Sequence, residues 1–270
     1  MALRDITLGQ YFPGNTIIHR LDPRTKILLT LVYIVALFLA SWLISYALLV
    51  VVLGVIIALS KVPLKTILRG MKPILFIVVL TGLLNLFYTP GAGEPLVQFW
   101  VLRIYAEGIW AAFFMILRIM MLITCTFLLT YTTSPILLTD GLERLLGPLK
   151  KLHVPIHELS MMMAIALRFI PTLIEETDKI MSAQKARGAD FDTGGLMDKA
   201  RALVPLLVPL FISAFRRADE LAVAMECRCY HGGEGRTRLR QLKYQASDIA
   251  FLLGCLALCV GVGVLGHYGL

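Results

Sequence analysis

Residues 27–60 read ILLTLVYIVALFLASWLISYALLVVVLGVIIALS, 34 positions without one Asp, Glu, Lys or Arg. A single helix of that length would reach about 51 Å, while the hydrocarbon layer of a bilayer is about 30 Å thick. The run therefore has to fold back on itself inside or at the edge of a membrane, and Ser41-Trp42 is the expected turn. The rest of the 270 residues agrees. Apolar residues make up 58% and charged residues 16%, against roughly 45–50% and 25% in soluble domains. This excludes a soluble enzyme and a disordered chain.

Five spans emerge from the same pattern: residues 24–41, 43–60, 73–88, 108–131 and 249–270. Pro73 is expected to open the third, where its missing N–H costs little. Basic residues set the orientation, because short cytoplasmic loops are enriched in Lys and Arg. Arg4, Arg20, Arg24 and Lys26 precede the first span, and Lys61, Lys65, Arg69 and Lys72 separate the second from the third. Sixteen more lie in 132–247, whereas 89–107 holds only Arg103. The N-terminus, 61–72 and 132–247 are thus expected in the cytoplasm, and the loop 89–107 outside. The net charge of +8 has this topological meaning; no basic tract or aromatic RNA-binding motif points to nucleic acid. Cys125, Cys227, Cys229, Cys255 and Cys259 are odd in number and partly in apolar runs, which is no disulfide framework. Residues 1–26 lack the apolar core and cleavage site of a signal peptide and are expected to be retained.

The expected fold is all-α, a polytopic membrane helix bundle with long cytoplasmic or interfacial coupling helices. Its parts are a four-span bundle (1–131), a cytoplasmic coupling-helix module (132–247) and a final span (248–270). Within the module the pattern predicts a short helix over 137–152 and two long ones over about 155–185 and 196–225, broken by Gly194-Gly195. The first half of each long helix is apolar and the second charged, with Pro171, Pro205 and Pro209 expected to kink the apolar parts. This reads as a lever with an oily end at the membrane and a polar end in water. The alternative, two further spans, is disfavoured because the apolar stretches 160–174, which contains Arg168, and 203–215 are shorter than the roughly 20 residues a span needs.

Each long helix ends in a similar cluster, Ala183-Gln-Lys-Ala-Arg-Gly188 and Ala224-Met-Glu-Cys-Arg-Cys229. An Arg stands between small residues, with an Ala four positions upstream keeping that face shallow. Arg offers a planar fork for carboxylates or carbonyls. A helix cap with Arg on the dipole explains the first copy. The second lacks the Gly, so capping is not expected to explain the shared pattern, and two docking sites are.

These stretches resemble the transmembrane T component of energy-coupling factor (ECF) transporters, ABC-type importers of vitamins and trace metals. The resemblance covers nearly the whole chain and is carried by Leu21-Asp-Pro-Arg-Thr-Lys26, Thr133-Ser-Pro135, Ala166-Leu-Arg-Phe-Ile-Pro171, Lys185-Ala-Arg-Gly-Ala-Asp190 and Arg216-Arg-Ala-Asp-Glu220 with Met225-Glu-Cys-Arg-Cys-Tyr230. Ala186-Arg187-Gly188 matches the family's arginine motif; Cys227-Arg228-Cys229 departs from it on both flanks with other small residues. The resemblance implies that these six residues dock two cytoplasmic ATPase subunits, which carry ATP and Mg. It further implies a membrane-embedded substrate-binding S component, interchangeable among several, and the plasma membrane of a prokaryote. Met161, Met162 and Met163 are expected to contact the S component, since Met packs adaptably. The chain itself is expected to be no enzyme and to hold no cofactor or metal; it has no Gly-x-x-x-x-Gly-Lys-Ser/Thr loop.

Other constellations are weaker. Cys227, Cys229 and His231 lack the ligand number and spacing of a zinc site. His153 and His157 flank Pro155 and are expected in a surface turn. The Asp-Gly pair that CDP-alcohol transferases place before an Ala-Arg is absent; Ser182-Ala183 stands there. Arg118 is the one charge deep in a span and is read as a bundle contact, with Asn85 a candidate neighbour. The competing class is a self-sufficient secondary transporter or channel, but inverted repeats and broken midplane helices are not visible.

Overall fold

The computed structural model describes residues 11–89, 97–99, 102–152, 154–189, 191, 195–232 and 242–268. It is all-α apart from a hairpin of three-residue strands, β1 (Val97–Phe99) and β2 (Leu102–Ile104), paired antiparallel. The helices are α1 (Ile17–Arg20), α2 (Pro23–Leu39), α3 (Leu43–Ser60), α4 (Leu64–Tyr88), α5 (Ala106–Thr132), α6 (Pro135–Leu145), α7 (Ile156–Ala186), α8 (Leu196–Glu226) and α9 (Ala246–Tyr268). The described residues divide into two compact units, 11–142 with 242–268, and 143–232.

The first unit is the helix bundle. The expected turn is present: α2 ends at Leu39 and α3 begins at Leu43. The core packs Tyr33 and Leu37 of α2 against Tyr46 and Leu49 of α3, Met121 of α5 and Val262 of α9. The Tyr33 hydroxyl donates to the Leu49 carbonyl at 3.0 Å, which satisfies its buried oxygen. α2 and α5 run antiparallel. Lys26 Nζ meets the Thr132 carbonyl at 2.9 Å, and fourteen residues along both helices Arg118 Nη2 meets the Ala40 carbonyl at 3.2 Å. α9 runs parallel to α2 at a constant offset of 226 residues, from Asp22–Asp248 to Leu29–Cys255.

The motif Leu21-Asp-Pro-Arg-Thr-Lys26 ties these helices together at one end. Asp22 caps α2 through the Arg24 N–H at 2.9 Å and pairs with the Arg24 guanidinium at 2.9 Å. Its own N–H donates to Asp248 Oδ1 at 2.8 Å. Arg24 also donates to the Leu242 carbonyl and lies 4.0 Å from the Tyr244 ring centroid. Gly141 of α6 sits where a Cβ would come to 3.0 Å from Pro23 Cβ and 3.3 Å from the Arg24 nitrogen, so a side chain here would press the start of α2 aside by a few tenths of an ångström.

Two expectations are corrected here. α4 begins at Leu64, behind Pro63, and Pro73 lies inside it. Lys65, Arg69 and Lys72 therefore sit on the first turns of a helix, exposed beside the buried stripe Ile67, Met71 and Val78. The helix expected over 137–152 is two elements, α6 and a 3-10 turn over Gly147–Leu152, because Pro148 has no N–H to continue the α ladder. Among the described residues, five helices are long and apolar enough to cross a membrane: α3, α4, α5, α7 and α9. α2 has 17 residues, about 25 Å, whereas α7 was expected to lie along the membrane.

Candidate functional site

The second unit holds the paired arginine clusters. α7 and α8 are unbroken over 31 residues each, with Pro171, Pro205 and Pro209 inside them. They pair antiparallel. Glu176 of α7 accepts hydrogen bonds from Ser213 Oγ and from Arg217 Nη2, the latter at 3.0 Å, and Arg217 lies 5.7 Å from the Phe169 ring centroid. Eight residues on, Gln184 Nε2 reaches the Pro205 carbonyl at 3.5 Å, eight residues back from Ser213. That carbonyl is free because Pro209, four residues later, has no N–H to give it.

The antiparallel register keeps the oily ends of the two helices apart. The charged half of α7 lies beside the apolar half of α8, and the two helix ends point in opposite directions. From the crossing, eleven residues lead to Arg187 and fifteen to Arg228, so the two arginines stand up to about 40 Å apart.

The two ends are built alike. At α7 the Gly188 N–H donates to the Lys185 carbonyl at 3.0 Å, and Ala189 N–H to Gln184 at 3.0 Å. At α8 the Cys229 N–H donates to Glu226 at 2.8 Å, and Tyr230 N–H to Met225 at 3.1 Å. Both are Schellman motifs, with the left-handed position taken by Gly188 (φ 87°) in one and Cys229 (φ 57°) in the other. Capping therefore does account for the shared local pattern, against expectation. A non-glycine residue adopted the left-handed backbone, and the alignment of Cys229 with Gly188 was the signal for it. Each Arg is the residue immediately before the left-handed one. Ala186, Arg187 and Gly188 are exposed, as are Cys227, Arg228 and Cys229, and Ala183 and Ala224 also face outward. The helix ends thus present two matching cationic tips on shallow surfaces. Nearer the start of α7, Met162 and Met163 are about half exposed and Met161 is half-buried.

A protein-family profile described as cobalt transport protein CbiQ matches residues 14–239. The energy-coupling factor transporter transmembrane protein EcfT of Clostridium kluyveri is 56% identical over 261 residues, covering 96% of this chain and 97% of that one. The EcfT of Bacillus subtilis is 49% identical, covering 93% and 94%, and that of Lactococcus lactis subsp. cremoris 43%, covering 96% and 97%. The chain belongs to the EcfT family. It is a transmembrane component of energy-coupling factor transporters, and the family resemblance read from the sequence holds.

Other polar groups of this EcfT family member find partners at home. Arg118 does not meet Asn85, whose Nδ2 donates to the Thr81 carbonyl of its own helix at 3.2 Å. Arg118 instead donates through Nε and Nη2 to Tyr46 Oη, at 2.9 and 2.5 Å, and through Nη2 to the Ala40 carbonyl. His157 lies in the first turn of α7 rather than in a surface turn, with Nδ1 3.1 Å from Glu143 Oε1. His153 lies outside the described residues. Cys227 and Cys229 are exposed thiols, and the His231 ring bonds the Cys229 carbonyl at 2.9 Å.

Proposed function

We propose that the chain couples two ATP-hydrolysing subunits to a membrane-embedded substrate-binding subunit that carries a vitamin or trace metal. Arg187 enters a groove on one ATPase and Arg228 a groove on the other. ATP and Mg act on those subunits, and closure of the ATPase pair changes the spacing of the two tips. The observation that carries this reading is the duplication: two exposed arginines in the same cap geometry, far enough apart to engage two copies of one partner.

The antiparallel register adds a constraint. If α7 and α8 crossed the bilayer as a pair, their C-terminal tips would lie on opposite sides of it. Two tips docked to ATPases on one side require the pair to lie along the membrane surface, as amphipathic helices do. The exposed apolar face of α8, with Leu203, Leu207, Phe211 and Phe215, then meets lipid or the substrate-binding subunit, and Met162 and Met163 extend that contact. The N-terminus and 132–247 lie in the cytoplasm, and the membrane is the plasma membrane of a prokaryote.

Co-purification tests it. A tagged chain expressed with ATP-binding subunits retains them in a two-to-one ratio, and the recovered complex takes up substrate when ATP is supplied. A lone chain that transports in liposomes would instead establish the secondary-transporter class.

A further inference from the structure

A cavity of about 470 Å³ occupies one end of the helix bundle, between α2, α3, α5 and α9. Its size falls within the roughly 300–1,000 Å³ of small-molecule sites. Tyr33, Val55, Leu128, Phe251 and Leu258 form the walls, and Lys26 lines the same end as Leu59 and Ala250. Val51, Val55 and Leu59 of α3 are exposed, as are Ala250 and Gly254 of α9. The slot therefore opens sideways between α3 and α9, onto the surface that faces lipid.

The polar groups of the lining are already engaged. Lys26 Nζ donates to the carbonyls of His19 and Thr132 and to Thr133 Oγ1, at 3.2, 2.9 and 3.2 Å. Thr30 donates to the Lys26 carbonyl at 2.9 Å, Tyr33 to Leu49 at 3.0 Å, and Thr132 to Leu128 at 2.8 Å. A water in the slot would lack the two to four partners it needs. An empty slot would forfeit dispersion contacts along its whole wall. A hydrocarbon chain satisfies both conditions.

Charge selects the headgroup. Lys26 is buried and spends its three N–H donors on protein oxygens, with Asp22 and Asp248 close enough to offset its charge, so the headgroup meets the exposed cations instead. Exposed Arg20 of α1 and Lys61, just past the end of α3, border the same end. We propose that the slot binds one acyl chain of an anionic phospholipid, drawn from the leaflet on the Lys26 side.

The test uses the purified full-length chain in nanodiscs that contain phosphatidylglycerol with a photoreactive group midway along one chain. Label is expected to concentrate in peptides covering 51–59 and 250–258. The phosphatidylcholine analogue should label about fivefold less, as expected for one basic contact. A Cβ at Gly254 would meet open space at the mouth, so Gly254→Leu is expected to block entry and cut labelling about tenfold. Gly54, equally open but outside the lining, supplies the control Gly54→Leu, which leaves labelling unchanged. If Gly254→Leu fails to fold, Ala250→Phe blocks the same mouth. Label spread evenly over the lipid-facing helices and indifferent to these variants overturns the slot. Equal labelling by the two headgroups overturns the anionic preference, and a free fatty acid in the native mass spectrum overturns the phospholipid.

Discussion

Arg187 and Arg228 occupy the same place in two helix endings that share the same pair of Schellman hydrogen bonds. Each guanidinium extends from an exposed position, and neither is needed for the local backbone geometry. Replacing both by Glu is expected to leave membrane insertion and the melting temperature unchanged while abolishing ATP-driven uptake. Each single replacement should weaken retention of the ATPase subunits by about 30-fold, the effect of losing an interface arginine worth some 2 kcal/mol. Retention of both subunits by the double variant in a pull-down would show that these tips are not the docking points.

The left-handed residue sets the strain of each ending, and the two copies differ in that respect. Cys229 carries a Cβ at φ 57°, a conformation that costs an L residue roughly 1–2 kcal/mol, whereas Gly188 at φ 87° incurs no such cost. Cys229→Gly is expected to strengthen the α8 cap by about 1 kcal/mol, and Gly188→Ala to weaken the α7 cap by a similar amount. Nothing lies within 4 Å of a Cβ placed at Gly188, so the second effect is one of backbone alone. Hydrogen exchange at the amides of 188–189 and 229–230 reads both, about fivefold slower in the first variant and about fivefold faster in the second.

Much of the fold was legible because long uncharged runs can only be membrane helices, and α3, α5 and α9 lie within a few residues of their expected bounds. Proline misled in both directions. Pro73 looked like a helix start but sits nine residues inside α4, whereas Pro148 ended a helix expected to continue. A proline marks a missing N–H and leaves open which side of it the helix occupies. The arginine tips were legible as a repeated pattern, but their direction was not. That depends on Glu176 meeting Ser213 and Arg217, and Gln184 meeting the carbonyl freed by Pro209, contacts made between helices. The partner of Arg118 was likewise hidden, since Tyr46 lies 72 residues away in the chain.

Arg118 pins the turn between α2 and α3. Its guanidinium takes the Ala40 carbonyl just past the end of α2 and the Tyr46 hydroxyl in α3. Arg118→Met keeps the length of the side chain but leaves both oxygens unpaired in apolar surroundings, with an expected loss of about 1–3 kcal/mol. Arg118→Lys cannot span both acceptors with a planar fork and should recover less than half of that. Thermal unfolding of the purified chain in detergent measures both, and wild-type stability in Arg118→Met would show that water or lipid replaces these contacts.

His19 gives the bundle a sensitivity to acid. Its Nδ1 lies 2.7 Å from Thr16 Oγ1 and its Nε2 3.1 Å from the Phe12 carbonyl. Burial pushes its pKa below the ordinary 6.5, the Phe12 carbonyl opposes the shift, and the nearby Lys26 charge adds to it. A folded-state value below the unfolded one means that the unfolded chain binds more protons between the two, so stability rises with pH across that window. The contribution is complete above the unfolded value and is lost as pH falls through the folded one. The melting temperature of the purified chain is therefore expected to fall between pH 7 and pH 5, and His19→Gln, which cannot titrate, should flatten that slope. An identical slope in the variant would place the acid sensitivity on other groups.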